Sequence, residues 1–416
     1  MKIAFLTLGC KLNYAETSTY ERGFVKAGFE VVPWSAAADV YLVNTCSVTA
    51  TSDSKSRNLV RKVHRVNPDA MIVVTGCSAQ LRREEIEAIE GVSRVFGCNE
   101  KSLVVPWTLN ALGCTTADMQ DGCGNVFAAY STGERTRSFL KVQDGCNNWC
   151  KYCTVPFARG ESRNIPICEC VANARAIAAA GVKEIVLTGV NTGDFGRSTG
   201  ESFSDLLKAL NEVDGIERYR ISSIEPNLIT DGIVDWIASG TKFQPHFHIP
   251  LQVGCDELLS AMGRHYDTAF FAGRIEYIRK ALEKPGKAKV FFGIDVMAGL
   301  PGETDELFEK TYSFLRDVVK PAFIHVFPYS RRPGTPAAEM PGQVPEEVKK
   351  QRVERLEKLC AELHSDFVGA NRGISERVLF ESTDRKGTMA GYTGNYIRVE
   401  RPYDAALTGK IVDIVI

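Results

Sequence analysis

Along residues 1–112, short apolar runs alternate with stretches whose apolar positions return every three or four residues. The runs at 2–8, 29–34, 39–44, 71–75 and 94–96 are rich in Val, Ile, Leu and Phe and read as strands. Helical patterns lie between them, near 14–27, 51–66 and 79–89. Strands alternating with helices predict an α/β domain with a doubly wound parallel sheet. Residues 113–135 lose this periodicity and are rich in Gly, Thr, Asp and Ser, which marks 113–131 as a linker.

The alternation then resumes. Strand candidates at 138–143, 184–188, 219–224, 246–252, 290–297 and 323–327 are separated by helical stretches and predict a partial (β/α)6 barrel. Val348, Val353, Leu356, Cys360, Leu363 and Phe367 then recur mostly at helical steps, with Glu346, Glu347, Lys349, Lys350 and Arg352 on the other face. From 374 to 416 the pattern becomes short β runs, VLF, YIRV and IVDIVI, between glycine-containing turns. The chain stops soon after the last run, so a short or missing final strand is expected. The expected organisation is an N-terminal doubly wound domain (1–112), a linker (113–131), a barrel with its long helix (132–370) and a small all-β domain (371–416).

Composition narrows the function. A hydrophobic share of 44% supports sizeable cores. The formal charge of −1 excludes a globally basic nucleic-acid binder but not a local basic face. No apolar run approaches the roughly 18 residues of a membrane span. Lys11 and Glu16 follow the first run closely, which argues a strand and not a signal peptide. A cytoplasmic location without membrane contact is expected. Thirteen cysteines in a chain neither short nor secreted point to metal binding rather than a disulfide framework.

DGCNNWCKYCTVPFARG sets Cys146, Cys150 and Cys153 in a C-x3-C-x2-C pattern after the first barrel strand, where a loop faces the barrel mouth. Three thiolates can hold three irons of a four-iron cubane. The fourth iron is then open to a molecule offering an amine and a carboxylate, such as S-adenosylmethionine (SAM), whose reductive cleavage yields a deoxyadenosyl radical. A structural zinc site is the alternative. It wants a fourth ligand, and only Cys168 and Cys170 lie in sequence reach. Cys10, Cys46 and Cys77 each follow a predicted strand. The carboxyl ends of parallel strands share one edge, so these three can converge on a metal centre; three unrelated buried thiols are the alternative. Cys98, Cys114, Cys123, Cys168, Cys170, Cys255 and Cys360 show no partner spacing, and Cys360 is expected in the core.

The C-x3-C-x2-C motif, with Tyr152 inside it, resembles the radical SAM superfamily. The longer string KVQDGCNNWCKYCTVPFARGESR resembles the methylthiotransferases within it. TLGCKLNYAE, VNTCSVTATSDSKSR and VTGCSAQL, around Cys10, Cys46 and Cys77, resemble the N-terminal domain of that family. The resemblance spans nearly the whole chain. It implies a SAM-binding [4Fe–4S] cluster on Cys146, Cys150 and Cys153, and a second [4Fe–4S] cluster on Cys10, Cys46 and Cys77. It also implies conversion of an unactivated C–H into C–SCH3 with two SAM molecules, one methylating the sulfur and one supplying the radical. By the same resemblance SAM meets Tyr152 beside its adenine, Gly189 and Asn191 in LTGVNTGDFG, Ser223 and Glu225 in ISSIEPN, and Gln252 and Arg264 in HIPLQVGCDELLSAMGRHY. Asp295, polar within a strand run, either lines the barrel or satisfies a backbone group.

Methylthiotransferases divide by substrate. QDGCNNWC, LTGVNTGDFG and RISSIEPN followed by HFHIPLQVGCDE resemble the branch that modifies threonylcarbamoyladenosine (t6A) in tRNA. The other branches act on isopentenyladenosine in tRNA or on a ribosomal-protein aspartate. The implied product is 2-methylthio-t6A beside the anticodon. The implied partners are tRNA and an external electron donor, with the sulfur source left open and the chain a monomer. A non-enzymatic iron–sulfur carrier or RNA-binding protein would need neither a barrel nor an open iron. Lys55, Arg57, Arg61, Lys62 and Arg65 have no acidic residue among them and could face RNA phosphates, although such runs are more often solvated helix faces. Residues 374–416 resemble the TRAM domain, an RNA-binding module, yet hold six basic and six acidic residues. Tyr392, Tyr396 and Tyr403 are candidates to stack on bases, with at least one expected in the β core.

Overall fold

The computed structural model describes residues 1–114, 126–133, 136–381 and 386–416. Cys123 and most of the expected linker lie outside the described residues. The N-terminal sheet comprises β1 (Lys2–Thr7), β2 (Glu30–Val31), β3 (Val40–Thr45), β4 (Met71–Gly76) and β5 (Val92–Val95). All five run parallel in the order β2-β1-β3-β4-β5. β3 and β4 are covered on both faces, which is why VYLVNT and MIVVTG read as nearly continuous apolar runs. Alternate side chains feed two cores: Tyr41, Val43 and Val74 meet Val60 and Val63, while Leu42 and Val73 meet Tyr20 and Phe24. The run at 29–34 keeps only two strand residues because Pro33 has no N–H to pair. The helix expected at 79–89 is two short ones, Cys77–Leu81 and Arg83–Glu87.

β6 (Arg137–Lys141), β7 (Glu184–Thr188) and β8 (Arg218–Ile221) form one parallel sheet. β9 (His246–Gln252), β10 (Phe291–Ala298) and β11 (Phe323–Pro328) form another. Parallel bridges Tyr219–Phe243 and Ser223–His248 join them into the expected open six-stranded half-barrel. The candidate strand 138–143 breaks after Lys141. Gln143–Asp144 instead pair antiparallel with Arg163–Asn164, folding the cysteine loop back on itself. Residues 126–133 are packed and do not act as a spacer: Phe127 stacks on Tyr20 at 5.1 Å, and Lys141 donates its N–H to Ala129 at 2.9 Å.

The long helix, Glu346–Ala370, buries Leu356, Leu359, Cys360 and Leu363. Its other face needs correction, because Lys349 and Arg352 are also buried. Arg352 pairs with Glu303 and Asp305, each at 2.7 Å. The Lys349 stem lies on Gly299, where a Cβ would come within 2.3 Å of it. A long cationic side chain can cover apolar surface with its stem, which a charge pattern does not reveal.

The C-terminal domain is an antiparallel sheet of β12 (Ser375–Phe380), β13 (Thr388–Tyr392), β14 (Arg398–Pro402) and β15 (Ile411–Val415), in the order β14-β13-β12-β15. The last expected run, IVDIVI, forms β15, which pairs with β12 from Ile411 to Val415. The domain docks on the amino-terminal ends of the barrel strands. Arg220 donates to the carbonyls of Gly394 (2.6 Å) and Thr393 (2.8 Å), and Arg218 to that of Tyr392 (3.1 Å). Arg137 reaches the Tyr396 hydroxyl at 2.7 Å and Glu381 at 2.8 Å. The Tyr396 ring sits 4.9 Å from His246 and 5.2 Å from Tyr392. Tyr392 and Tyr396 therefore serve domain docking, while Tyr403 stays exposed. Among the described residues no helix is long and apolar enough to cross a membrane.

Candidate active site

Cys146, Cys150 and Cys153 line a cavity of about 320 Å³ at the carboxyl end of the barrel. Gly145 makes their loop possible. It has φ +75°, and a Cβ there would lie 2.0 Å from the Glu161 carbonyl oxygen. Each sulfur accepts a hydrogen bond: Cys146 from Asn148 N–H (3.5 Å), Cys153 from Val155 N–H (3.4 Å) and Cys150 from Arg264 Nη1 (3.0 Å). Burial pushes the free thiols of Cys146 and Cys153 up to about 11 and about 12. Donors aimed at the sulfurs compensate thiolates, the form a metal would enforce. Cys168 is exposed and Cys170 is buried in the core, and neither lines the cavity, so among the described residues the zinc alternative lacks the fourth cysteine the sequence offered it. Three converging thiols without a fourth fit a cluster with an open iron.

Tyr152, Asn191, Ser223, Glu225, Gln252, Arg264 and Asp295 line this same cavity. Arg264 is its hub: it pairs with Glu225 and donates to the Tyr266 hydroxyl (2.8 Å) and the Tyr152 hydroxyl (3.3 Å). Asn191 accepts the Glu225 N–H at 3.2 Å. Gly189 is not part of the lining. It packs on Gln143, whose Oε1 would stand 2.9 Å from a Cβ at that position. Gln143 itself holds the next turn, taking the N–H groups of Val190 (2.9 Å) and Asn191 (3.0 Å). Its signal in the sequence was a polar residue ending the strand run just before the motif. Met297 and Phe327 add apolar wall, and Val48 and Thr49 reach in from the N-terminal domain.

The structure brings Cys10, Cys46 and Cys77 to the carboxyl ends of β1, β3 and β4. Gly9 has φ +100°, and a Cβ there would lie 2.7 Å from the Cys46 sulfur. Gly76 has φ +103°, with Thr45 O only 2.3 Å from its would-be Cβ. These glycines let neighbouring loops close on one another. Cys77 opens a helix that packs on Val155–Arg159, the helix following Cys153. Val48 and Thr49, just after Cys46, line the cavity of the other triad, so the two triads adjoin. Cys98, unassigned from sequence, lies beside Cys77 and the two thiols act on one another. That contact, helped by Arg159 and Lys101, pulls the Cys77 thiol down to about 6 against the effect of burial. No sequence spacing announced it.

A buried charge network joins the two domains between the triads. Glu16 accepts from Lys101 (2.7 Å) and Lys141 (2.9 Å). Asp144 pairs with Lys141 (2.7 Å) and Arg159 (2.8 Å), and Arg159 also donates to Asn13 (2.7 Å). All five charged groups are buried. Burial alone would raise the Glu16 carboxyl, but Lys101, Lys141 and Arg159 hold it down at about 2.

An open parallel half-barrel with a C-x3-C-x2-C loop at its mouth defines a radical SAM enzyme. Residues 140–315 match the family model of the radical SAM superfamily, and residues 2–97 match that of uncharacterized protein family UPF0004. The chain is 40% identical to a threonylcarbamoyladenosine tRNA methylthiotransferase of Bacillus subtilis, over 99% of its own length and 93% of that protein. It is 34% identical to the protein of that name from Aquifex aeolicus, with both chains fully covered. It is 30% identical to a tRNA-2-methylthio-N(6)-dimethylallyladenosine synthase of Carboxydothermus hydrogenoformans, covering 98% of this chain and 95% of that one. The chain belongs to the radical SAM methylthiotransferase family. Its fold also resembles the radical SAM methyltransferase TsrM of Kitasatospora setae, with a TM-score of 0.58 and 15% identity over 81% of this chain and 77% of that one. Enzymes of this family work with SAM and [4Fe–4S] clusters, two of them in methylthiotransferases.

Proposed function

We propose that this chain inserts a methylthio group at carbon 2 of t6A beside the anticodon of tRNA, forming 2-methylthio-t6A. The observation that carries this is the adjacency of two cysteine triads, one lining the cavity and the other just behind the Val48–Thr49 edge of its wall. Cys146, Cys150 and Cys153 hold the SAM-binding cluster, and Cys10, Cys46 and Cys77 hold the second. When bound, these groups supply the radical and the sulfur. The chain itself binds, orients and excludes water. Glu225 offers a carboxylate suited to the SAM amine. Tyr152, Asn191, Ser223 and Gln252 offer ring and polar contacts to the rest of SAM. Arg264 fixes Tyr152, Glu225 and the Cys150 sulfur in one geometry. Gly189 acts through Gln143, on the turn that presents Asn191.

The basic helix Ala50–Val66 starts at the cavity rim, where Thr49 caps it by accepting the Ser52 N–H at 3.1 Å. Lys55, Arg61, Lys62 and Arg65 are exposed on it and suit an approaching RNA backbone. Arg57 is engaged with Glu85 at 3.3 Å. Relatives named for t6A reach 40% and 34% identity, whereas two named for dimethylallyladenosine stand at 32% and 30%, which favours the t6A substrate. An external electron donor and a monomeric state complete the assignment, with the sulfur source left open.

The test is anaerobic reconstitution with iron and sulfide, followed by SAM, a strong reductant and t6A-containing tRNA, with the nucleosides weighed after digestion. A methylthio mass gain on t6A is expected. Deoxyadenosine release without that gain would overturn the substrate and point to isopentenyladenosine tRNA or the ribosomal protein. Cys146→Ala should abolish SAM cleavage. Cys77→Ala should keep cleavage, lose sulfur insertion and drop iron from about eight to about four per chain.

A further inference from the structure

The barrel lumen beside the cavity carries a polar set with no role so far. His248 Nε2 lies 2.6 Å from Asp295 Oδ1, and the His248 and His325 rings are 4.8 Å apart. The register of β10 and β11 puts Asp295 opposite His325, and Asp295 also lines the cavity of the first triad.

Lys11 enters from the other domain. It follows Cys10 and opens helix Lys11–Lys26, which packs on β6. On that helix Tyr14 meets Phe139 at 5.8 Å. Phe139 shares the lumen face of β6 with Arg137 and Lys141, because its neighbour Leu140 points into the hydrophobic core. Lys11 stands three residues before Tyr14 and so shares its face. The charged groups acting on Lys11 are the barrel's Arg137, Asp295 and Arg220, together with Cys10. Arg137 is engaged by Glu381 and Arg220 by Glu184. Among the described residues the Lys11 ammonium has no hydrogen bond or ion pair. Lys11 and Asp295 are thus a cation and an anion facing one lumen without meeting.

We propose that Lys11 and the His248–Asp295 pair form the subsite that reads the threonylcarbamoyl side chain, Lys11 taking its carboxylate and Asp295 its hydroxyl or ureido N–H. This depends on the t6A substrate proposed above. A half-buried ammonium without a partner is costly, and a ligand that brings it a carboxylate offsets that cost. An isopentenyl group carries neither, so the same side chains select against it. Asp295, His248 and His325 have the donor set of a metal site, with ligand atoms within 4.8 Å of one another. A cation there would face the Lys11 ammonium, which disfavours it, whereas an organic acid gains from that charge.

The test compares two anticodon stem-loop RNAs, one bearing t6A and one bearing its threonine methyl ester, on the reconstituted wild type and on Lys11→Met. KM, kcat and RNA binding by fluorescence anisotropy are measured, with iron content assayed in parallel. The wild type should prefer acid to ester by roughly 10- to 100-fold in KM and in binding, the range for a hydrogen bond to a charged group. Lys11→Met should raise KM for the acid and lose the preference. Asp295→Asn should weaken both RNAs while keeping the preference. A wild type that treats acid and ester alike, or a Lys11→Met protein that still separates them, overturns the subsite. If Lys11→Met loses iron, the wild-type ratio of acid to ester decides. No conversion of either RNA by the wild type overturns the t6A substrate itself, and the subsite with it.

Discussion

Three of the six cysteines follow a glycine that no other residue can replace. Gly9, Gly76 and Gly145 all sit at left-handed φ with another loop where a side chain would begin. Gly76→Ala would drive a Cβ into the Thr45 carbonyl oxygen at 2.3 Å and displace Cys77. A loss of about 2–4 kcal/mol in stability is expected, from backbone strain plus overpacking. About half the iron should go with it, while SAM cleavage on the first triad persists. Gly240 is equally left-handed but has nothing within 4 Å of its would-be Cβ. Gly240→Ala should therefore cost only about 1 kcal/mol and no iron. Iron assay and denaturant melts of the two variants make the comparison; equal iron in both would show that Cys77 needs no such turn.

Between elements, the decisive contacts are buried charges. The Lys101–Glu16–Lys141–Asp144–Arg159 network ties helix Lys11–Lys26 to β6 and to the helix after the cysteine loop. Glu16 is held at about 2 and Asp144 well below the usual carboxylate range, despite burial, by the surrounding cations. Unfolded, both carboxyls titrate near about 4. Their depressed folded values stabilise the protein above that pH, and the contribution fades as pH falls from there toward 2. The network's share of the melting temperature should therefore stay level from pH 7 to about 5 and drop below it, on top of the earlier fall below about 6.5 that His246 and His325, held neutral by burial, impose. Arg159→Met leaves Asp144 and Glu16 with less compensation, so it should cost about 3–5 kcal/mol at pH 7. It should also move the acid limb to higher pH. An unchanged acid profile in that variant would remove Arg159 from the network's electrostatics.

At the scale of the molecule, the C-terminal sheet is a stopper for the barrel as well as a candidate RNA module. Arg220 spends its guanidinium on Glu184 and on two carbonyls of that domain. Arg220→Met should destabilise the protein by about 3–5 kcal/mol, because Glu184 loses its 2.7 Å ion pair and keeps Arg218 at 3.5 Å. Replacing exposed Lys55 and Arg61 by Ala should instead leave stability within about 0.5 kcal/mol. Each such change should lower the salt slope of tRNA binding by about one. Melts and salt titrations separate the two roles; an unchanged salt slope would move the RNA path off helix Ala50–Val66.

Much of this was legible in the chain. The alternation of runs determined the α/β class, the parallel sheet and the barrel, because burial of a strand on both faces demands continuous apolar residues. The spacing of Cys146, Cys150 and Cys153 determined one triad, because a single loop carries it. Only the tertiary structure decided the rest. Cys98 beside Cys77, Gln143 behind Asn191, the Glu16–Arg159 network and Lys11 facing Asp295 all join residues distant in sequence, where periodicity has nothing to register. The buried faces of Lys349 and Arg352, and the docking of Tyr396 under the barrel, depend on which surface each residue meets, and that is settled only when the domains close on one another.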